Sequence, residues 1–147
     1  MIINTPNLNQ ARKQIQELKK QNKEVIIKSQ DPEFNRKILE NKDVDVLLSP
    51  EFHNRKNKLK QRDSGLNEVL CKLAKKNNIK IAINLDEIIK QSKKQKAILL
   101  ARIMQNISLC KRTKTQFIIM QKNIDKKSLF SLLLNLGMDT KTAKHSI

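Results

Sequence analysis

The order of short β-branched segments and longer amphipathic segments constrains the fold of this chain more than any other feature. After the first of these segments, apolar residues recur every three or four positions from Leu8 to Leu18, which is typical of a helix. The same exchange between strand and helix patterns continues along the chain and predicts parallel β/α units with right-handed crossovers. The strand-like segments are Ile2–Ile3, Val25–Ile27, Val44–Leu48, Ile79–Leu85 and Phe117–Ile119.

The strand count limits the architecture further. A closed β/α barrel needs eight strands, roughly three more than the sequence supplies. We therefore predict an α/β protein with a TIM-barrel-like parallel sheet, either open or forming a reduced, incomplete barrel of about five strands. No solenoid-type repeat and no linker rich in Pro, Gly or Ser interrupts the pattern, so we expect a single domain over residues 1–147.

The charge balance points to an anionic partner. The chain has 31 Lys and Arg against 14 Asp and Glu, a formal net charge of +17. Tyr and Trp are absent, so stacking of single-stranded bases is poorly supported; if the chain binds RNA, it should do so through charge and shape. No apolar segment is long enough to span a membrane and no signal-peptide pattern begins the chain, so we expect a cytoplasmic protein.

The residues for several kinds of catalytic or cofactor site are missing. The two glycines, Gly65 and Gly137, cannot form the glycine-rich loops that bind dinucleotides or nucleoside triphosphates. Cys71 and Cys110 lack the spacing of a zinc site and fall in apolar helical stripes, so we expect buried, inert thiols.

Catalysis in β/α folds occurs at the carboxyl ends of the strands. Ser49 and His53 at this edge could form a nucleophile and its base, but no third residue to orient them is evident. We therefore expect His53 to be a polar loop residue. The other polar candidates at this edge are Asn4, Ser29, Asn84, Asp86 and Gln121.

Positive charge is densest just before Gly65. The segment from Arg55 to Arg62 contains no acid, and an acidic residue, Asp63, follows it. Such a loop before a helix predicts contact with phosphates, whereas the Lys-rich helix patches, including that of Lys122, are more simply solvated. We expect Asp63 or Ser64 to cap the next helix. The cations of this segment are Arg55, Lys56, Lys58, Lys60 and Arg62.

Three segments together resemble archaeal ribonuclease P protein component 3, a family homologous to the thirty-kilodalton protein subunit of nuclear ribonuclease P. They are DVDVLLSP at Asp43–Pro50, RDSGLNEVLCKLAKKNNIKIAINL at Arg62–Leu85 and LLARIMQNISLCKRTKTQFIIM at Leu99–Met120. The resemblance implies a TIM-barrel-like fold. It also implies a noncatalytic subunit of a ribonucleoprotein endonuclease that removes the 5′ leader from precursor tRNA, with the chemistry carried by RNA.

Particular residues occupy the motif positions of that family. The resemblance implies RNA contacts by Arg62, Lys72 and Arg102. It also implies that residues around Gly65 set a turn and a helix cap. These turn and cap residues are Asp63, Ser64, Gly65 and Asn67, and the remaining motif positions are Ser49, Pro50 and Asn106.

The same resemblance implies the partners. They are ribonuclease P RNA, ribonuclease P protein component 2 and, indirectly, precursor tRNA, with no membrane contact. The protein itself is expected to bind no cofactor, and magnesium is expected on the RNA. The chain begins where typical members have already completed their first β/α units and lacks a clear closing strand. Two bare sheet edges would follow, and we expect a second copy of the chain or another subunit to cover them.

Two other functions remain open. A metal-dependent phosphoesterase-like β/α-barrel hydrolase would need clustered carboxylates and histidines, which the sequence does not show. A generic basic RNA-binding protein would need only the positive charge, and its binding would not depend on one cognate RNA.

Overall fold

The computed structural model describes residues 1–121 and 124–147. Lys122, which the sequence places in one of the basic patches, lies outside the described residues. The strands are β1 (Ile2–Ile3), β2 (Ile26–Lys28), β3 (Val46–Leu48), β4 (Lys80–Asn84) and β5 (Phe117–Met120). The helices are α1 (Leu8–Lys20), α2 (Pro32–Leu39), α3 (Glu68–Lys76), α4 (Leu85–Ile89), α5 (Lys93–Thr113), α6 (Lys126–Asn135) and α7 (Thr140–Ser146).

All five strands run parallel in one sheet, in the order β1-β2-β3-β4-β5. Because each strand lies beside its neighbour in sequence, the arrangement is that of a barrel wall. Within the described residues, β1 and β5 each pair on one side only, so the barrel is not closed. The prediction of an incomplete TIM-barrel-like sheet of five strands is therefore confirmed, while the single domain remains a prediction.

The two faces of the sheet belong to different apolar clusters. Ile27, Leu47 and Ile81 point to one face and share the main core with residues of the helices. Their neighbours in sequence point the other way, because side chains alternate along a strand. These neighbours form a smaller cluster of strand residues, so the strands are apolar on both faces, as is usual in parallel sheets. Its members are Ile26, Val46, Leu48 and Ala82, with Ile118 and Met120 half-buried beside them.

No helix within the described residues is long and apolar enough to cross a membrane. Among the described residues, the longest loop between a strand and the helix after it follows β3, since it runs from Ser49 to the start of α3 at Glu68. It leaves the sheet at the carboxyl edge, where the sequence predicts the polar candidates and the basic segment.

Candidate nucleic-acid interface

The connection between β3 and α3 contains the basic segment, and we call residues 50–66 the basic loop. Ser49 donates its backbone N–H to the carbonyl of Ala82 at 2.8 Å, so the ladder between β3 and β4 extends to this residue. The φ angle of Ser49 is 56°, in the left-handed region that few residues other than glycine adopt. The chain therefore turns sharply out of the sheet at Ser49, and the basic loop begins.

The far end of the loop meets its beginning. Gly65 has a φ of 87°, and a Cβ atom built there would lie 1.8 Å from the carbonyl oxygen of Pro50. Only glycine fits both this backbone conformation and this close approach. Asp63 supports the turn, because its Oδ1 accepts a hydrogen bond from the Gly65 N–H at 3.0 Å.

The cap of α3 differs from the expectation. The side chain of Asn67 accepts a hydrogen bond from the Leu70 N–H at 2.8 Å and is the N-cap. The prediction that Asp63 or Ser64 caps this helix is wrong. The helix begins at Glu68, too far along the chain for either side chain to reach its free N–H groups.

Arg102 of α5 lies beneath the loop rather than on its surface. It is 7% exposed, and its Nη1 lies 2.9 Å from the carbonyl oxygens of both Glu51 and His53. The expectation that Arg102 contacts RNA therefore needs correction, because its guanidinium is buried against the protein backbone. Burial, the largest cause, lowers its pKa from the usual value, although arginine remains charged at any physiological pH.

Two further side chains of α5 hold the other end of the loop. Gln105 donates from Nε2 to the carbonyl of Arg62 at 3.0 Å, and Asn106 donates from Nδ2 to the carbonyl of Ser64 at 3.0 Å. Residues three and four positions apart lie on one helix face, so Arg102, Gln105 and Asn106 act from the same side. We call these three residues the α5 clamp. They satisfy backbone carbonyls at both ends of the loop and fix its path.

A second network crosses the inside of the loop. His53 Nδ1 accepts the Arg55 N–H at 3.1 Å, and Nε2 lies 2.9 Å from the Asp63 carbonyl oxygen. Nε2 must therefore carry the proton and donate it, which makes the imidazole neutral. Burial, and then the charges of Arg102 and Arg55, lower the pKa of His53. Both ring nitrogens are occupied within the loop, so His53 does not serve Ser49 as a base.

Arg55 and Asp63 complete this network. The Arg55 Nε donates to Asp63 Oδ2 at 3.0 Å. Burial alone would raise the pKa of Asp63, but the hydrogen bonds from Arg55 and from the Gly65 backbone outweigh it and lower that pKa. Arg55 is thus paired with an acid of the loop itself, although the sequence groups it with the exposed cations.

The tip of the loop has the opposite character. We call Lys56, Lys58, Lys60 and Arg62 the tip cations, and all four side chains are exposed. Among the described residues none of them forms an ion pair. A tight turn, in which Gln61 donates to the Lys58 carbonyl at 3.3 Å, presents them to solvent. Unpaired exposed cations on a fixed turn are suited to phosphate contact.

Lys72 lies apart from the tip cations. It is on the exposed face of α3, where its Nζ is 2.9 Å from the Glu68 carboxylate, and the side chain is 67% exposed. Such an (i, i+4) pair on an exposed helix surface adds little to stability, because solvent screens it. The implied RNA contact by Lys72 remains a prediction.

A shallow cavity of about 240 Å³ joins the loop to the first turn of α3. Its lining includes three cations, one acid and the residues that lead into α3: Arg55, Lys58, Arg62, Asp63, Leu66 and Asn67. The loop cations thus converge on the positive end of a helix dipole, which favours negative charge near the start of α3.

A buried acid at the start of the basic loop was not foreseen from the sequence. Glu51 is 0% exposed, and both of its carboxyl oxygens lack a hydrogen-bond partner in the described residues. Burial is the main cause that raises the pKa of Glu51 to about 8, with a smaller contribution from Glu87. The carboxyl group is therefore neutral at pH 7, and it faces the interior rather than a substrate.

No metal centre is present at this edge within residues 1–121 and 124–147, where no three His, Cys, Asp or Glu residues are grouped closely enough to bind an ion. The hydrolase alternative therefore lacks a ligand set in this part of the chain. What the carboxyl edge does contain is a cationic loop on a buried polar support.

Comparison with known sequences places the chain next to one family of proteins. No protein-family model matches it. It is 32% identical over 113 residues to ribonuclease P protein component 3 of Methanococcus vannielii, and the matched region covers 77% of this chain and 46% of that protein. It is 27% identical over 117 residues to the protein of the same name from Methanococcus maripaludis, covering 80% and 47%. The chain spans about half the length of these relatives, and the matches confirm the resemblance noted in the sequence.

Solved structures show the same fold. A chain in the cryo-EM structure of archaeal ribonuclease P with mature tRNA matches with a TM-score of 0.81 and 23% identity, over 97% of this chain and 61% of that one. A prolidase crystallised with N-methylphosphonate-L-proline matches with a TM-score of 0.63 and 9% identity, over 95% and 35%. At such low identities these matches establish the β/α barrel wall alone, a wall that occurs in proteins of unrelated activity.

Proposed function

We propose that this chain, which is related in sequence to ribonuclease P protein component 3, binds the RNA of ribonuclease P and supports removal of the 5′ leader from precursor tRNA. The chain itself does no chemistry in this proposal. Its partners are the catalytic RNA, ribonuclease P protein component 2 and, indirectly, precursor tRNA, and the magnesium ions lie on the RNA.

The basic loop is the observation that carries the proposal. Its four tip cations are exposed and unpaired in the described residues, whereas the loop base is fixed by the α5 clamp and by the contact of Gly65 with Pro50. A loop that is already ordered loses little conformational entropy when it binds. Its cations can then neutralise phosphates with little loss of conformational entropy.

The expected mechanism is electrostatic. Cations at the tip lower the repulsion between phosphates within the RNA and between the RNA and its substrate. Fewer magnesium ions are then needed to bring these strands together. The binding free energy comes mainly from release of counterions, so affinity should fall steeply as salt concentration rises.

Strands β1 and β5, which each pair on one side only within the described residues, are a second place for partners. A second copy of this chain or another protein subunit could pair with the outer side of either strand. Sedimentation at micromolar concentration with and without component 2 separates these cases. A monomer that does not bind component 2 would contradict this part of the proposal.

Reconstitution of precursor-tRNA cleavage tests the function. The cognate RNA and component 2 are combined with wild-type protein or with a variant in which all four tip cations are replaced by Gln. The matched control replaces three lysines and one arginine on or just after α1, all exposed, so its net charge is the same: Arg12→Gln, Lys13→Gln, Lys20→Gln and Lys23→Gln.

We expect the tip variant to need more magnesium for half-maximal cleavage, and the control to behave like wild type. Equal cleavage by all three proteins across magnesium concentrations would contradict the role of the loop. A noncognate structured RNA distinguishes the alternative of a generic RNA-binding protein, which would bind it as tightly as the cognate RNA.

A further inference from the structure

An apolar cavity of about 350 Å³ lies between the end of α5, the start of β5 and the start of α7. Ile107, Cys110, Phe117 and Met138 form the apolar part of its lining, and none of these four residues is more than 6% exposed. The cavity opens at the amino edge of the sheet, since Phe117 is the first residue of β5. It is therefore at the opposite edge from the basic loop.

The rim of this cavity is basic. Lys111 lies in the last turn of α5, and Lys114 ends that helix with a φ of 58°. Within the described residues neither lysine has a carboxylate at ion-pair distance. The acid in the lining, Asp139, caps α7 by accepting the Thr142 N–H at 2.7 Å.

The hydrogen bonds that Asp139 accepts at the start of α7 also lower its pKa. Hydrogen bonds from Thr142 are the largest causes that lower its pKa, and the charge of Lys111 lowers it further. Its carboxylate is thus engaged with the start of α7 and, among the described residues, forms no ion pair with Lys111 or Lys114, so the rim, with two lysines and one acid, keeps a net positive charge.

The surface of α5 beside the cavity is uncharged. Between Ala97 and Cys110 the one charged residue is Arg102, and its side chain is buried beneath the basic loop. Met104 is 48% exposed and lies one turn before Ile107 and two turns before Lys111, on the same side of the helix. In a chain with 31% charged residues, this neutral strip leading to an apolar cavity is unusual.

We propose that the cavity binds a bulky apolar side chain of an acidic protein segment, whose neighbouring carboxylates pair with Lys111 and Lys114. An apolar anchor in a buried pocket with a polar rim is the usual form of a strong protein–protein contact. The basic rim selects an acidic segment by charge complementarity. This inference goes beyond RNA binding and does not depend on it.

Two other occupants fit less well. A nucleic-acid base would lose its hydrogen bonds in an apolar cavity, and the one aromatic lining residue, Phe117, is 1% exposed and offers no face for stacking. A second copy of this chain would bring another net charge of +17 to a rim that is already basic. Because the basic loop is at the other edge of the sheet, RNA and the acidic segment can bind at the same time.

Two synthetic peptides provide the test, Glu-Glu-Phe-Glu-Glu and Glu-Glu-Ser-Glu-Glu, each with blocked termini. Methyl NMR of the full chain follows Ile107 and Met138, whose methyl groups line the cavity. We expect the Phe peptide to shift both signals at low salt. The Ser peptide should bind about tenfold more weakly, because it buries no large apolar side chain.

Charge variants locate the binding. Lys111→Glu with Lys114→Glu should abolish the methyl shifts, while the matched pair Lys93→Glu and Lys94→Glu, at the other end of the same helix, should leave affinity within about twofold. Equal affinity for both peptides would overturn the proposal even if the charge variant failed to fold. Methyl shifts of the same size with an RNA oligonucleotide would also overturn it.

Discussion

The base and the tip of the basic loop are stabilised in opposite ways. At the base, buried side chains of α5 donate to backbone carbonyls, and Gly65 lies against Pro50 with no room for a Cβ atom. At the tip, the cations are exposed and make no ion pair within the described residues. Changes at the base should therefore cost stability, whereas changes at the tip should cost RNA affinity alone.

The largest effect should come from Gly65→Ala. The added Cβ would meet the Pro50 carbonyl oxygen at 1.8 Å, so the loop base must open, and we expect a loss of about 4 kcal/mol in the free energy of unfolding. Gly137→Ala is the matched control. It also has a positive φ, 102°, but no atom lies within 4 Å of its built Cβ, so only about 1 kcal/mol should be lost. Urea unfolding measures both, and equal losses would show that the contact with Pro50 is unimportant.

The buried acid in the loop base, Glu51, should make stability depend on pH. The pKa of Glu51 is about 8 in the fold and 4.5 without it, so the folded state retains a proton that the unfolded state releases between these values. Stability from this group is full below pH 4.5 and declines as pH rises toward 8, by roughly 1 kcal/mol per pH unit.

Glu51→Gln should remove this decline, since glutamine does not titrate. The free energy of unfolding of both proteins, measured from pH 5 to pH 8, should therefore diverge as pH rises, with the variant the more stable at pH 8. Parallel curves would mean that Glu51 is ionised in the folded protein.

Arg102→Met should destabilise the loop base by about 2 kcal/mol. It leaves the carbonyls of Glu51 and His53 without their buried donor while preserving much of the packing of the long side chain. Arg112→Met, on an exposed position of the same helix, is the control and should cost less than about 0.5 kcal/mol. Hydrogen exchange of loop amides should accelerate in the first variant alone, and unchanged exchange would contradict the role of the clamp.

The sequence predicted the sheet and the position of the loop, but not the support beneath it. β-branched runs such as Val25–Ile27 and the caps and glycines around them are local signals, which can be recognised without knowledge of the fold. The cationic tip was equally visible, because it needs only composition and the absence of acids.

The support depends on contacts between residues far apart in sequence. Arg102 was expected to contact RNA from the protein surface. The sequence of a helix does not show whether a single arginine faces solvent or packs beneath a loop. One signal pointed inward. Arg102 and Asn106 are four positions apart, and both fall among the buried residues on the side of α5 that packs toward the core. Glu51 gave no such sign, because an acid after Ser49-Pro50 is an ordinary turn residue.

The most direct test of the central claim is the salt dependence of RNA binding. Contact with six phosphates would give wild-type protein a slope of roughly −4 to −5 in a plot of log affinity against log salt concentration. Replacing the four tip cations with Gln should make this slope less steep by about 3, while the free energy of unfolding changes by less than about 0.5 kcal/mol. The control with four neutralised cations on or just after α1 should keep the wild-type slope. An unchanged slope in the tip variant, or an equal reduction in the control, would contradict RNA binding by the basic loop.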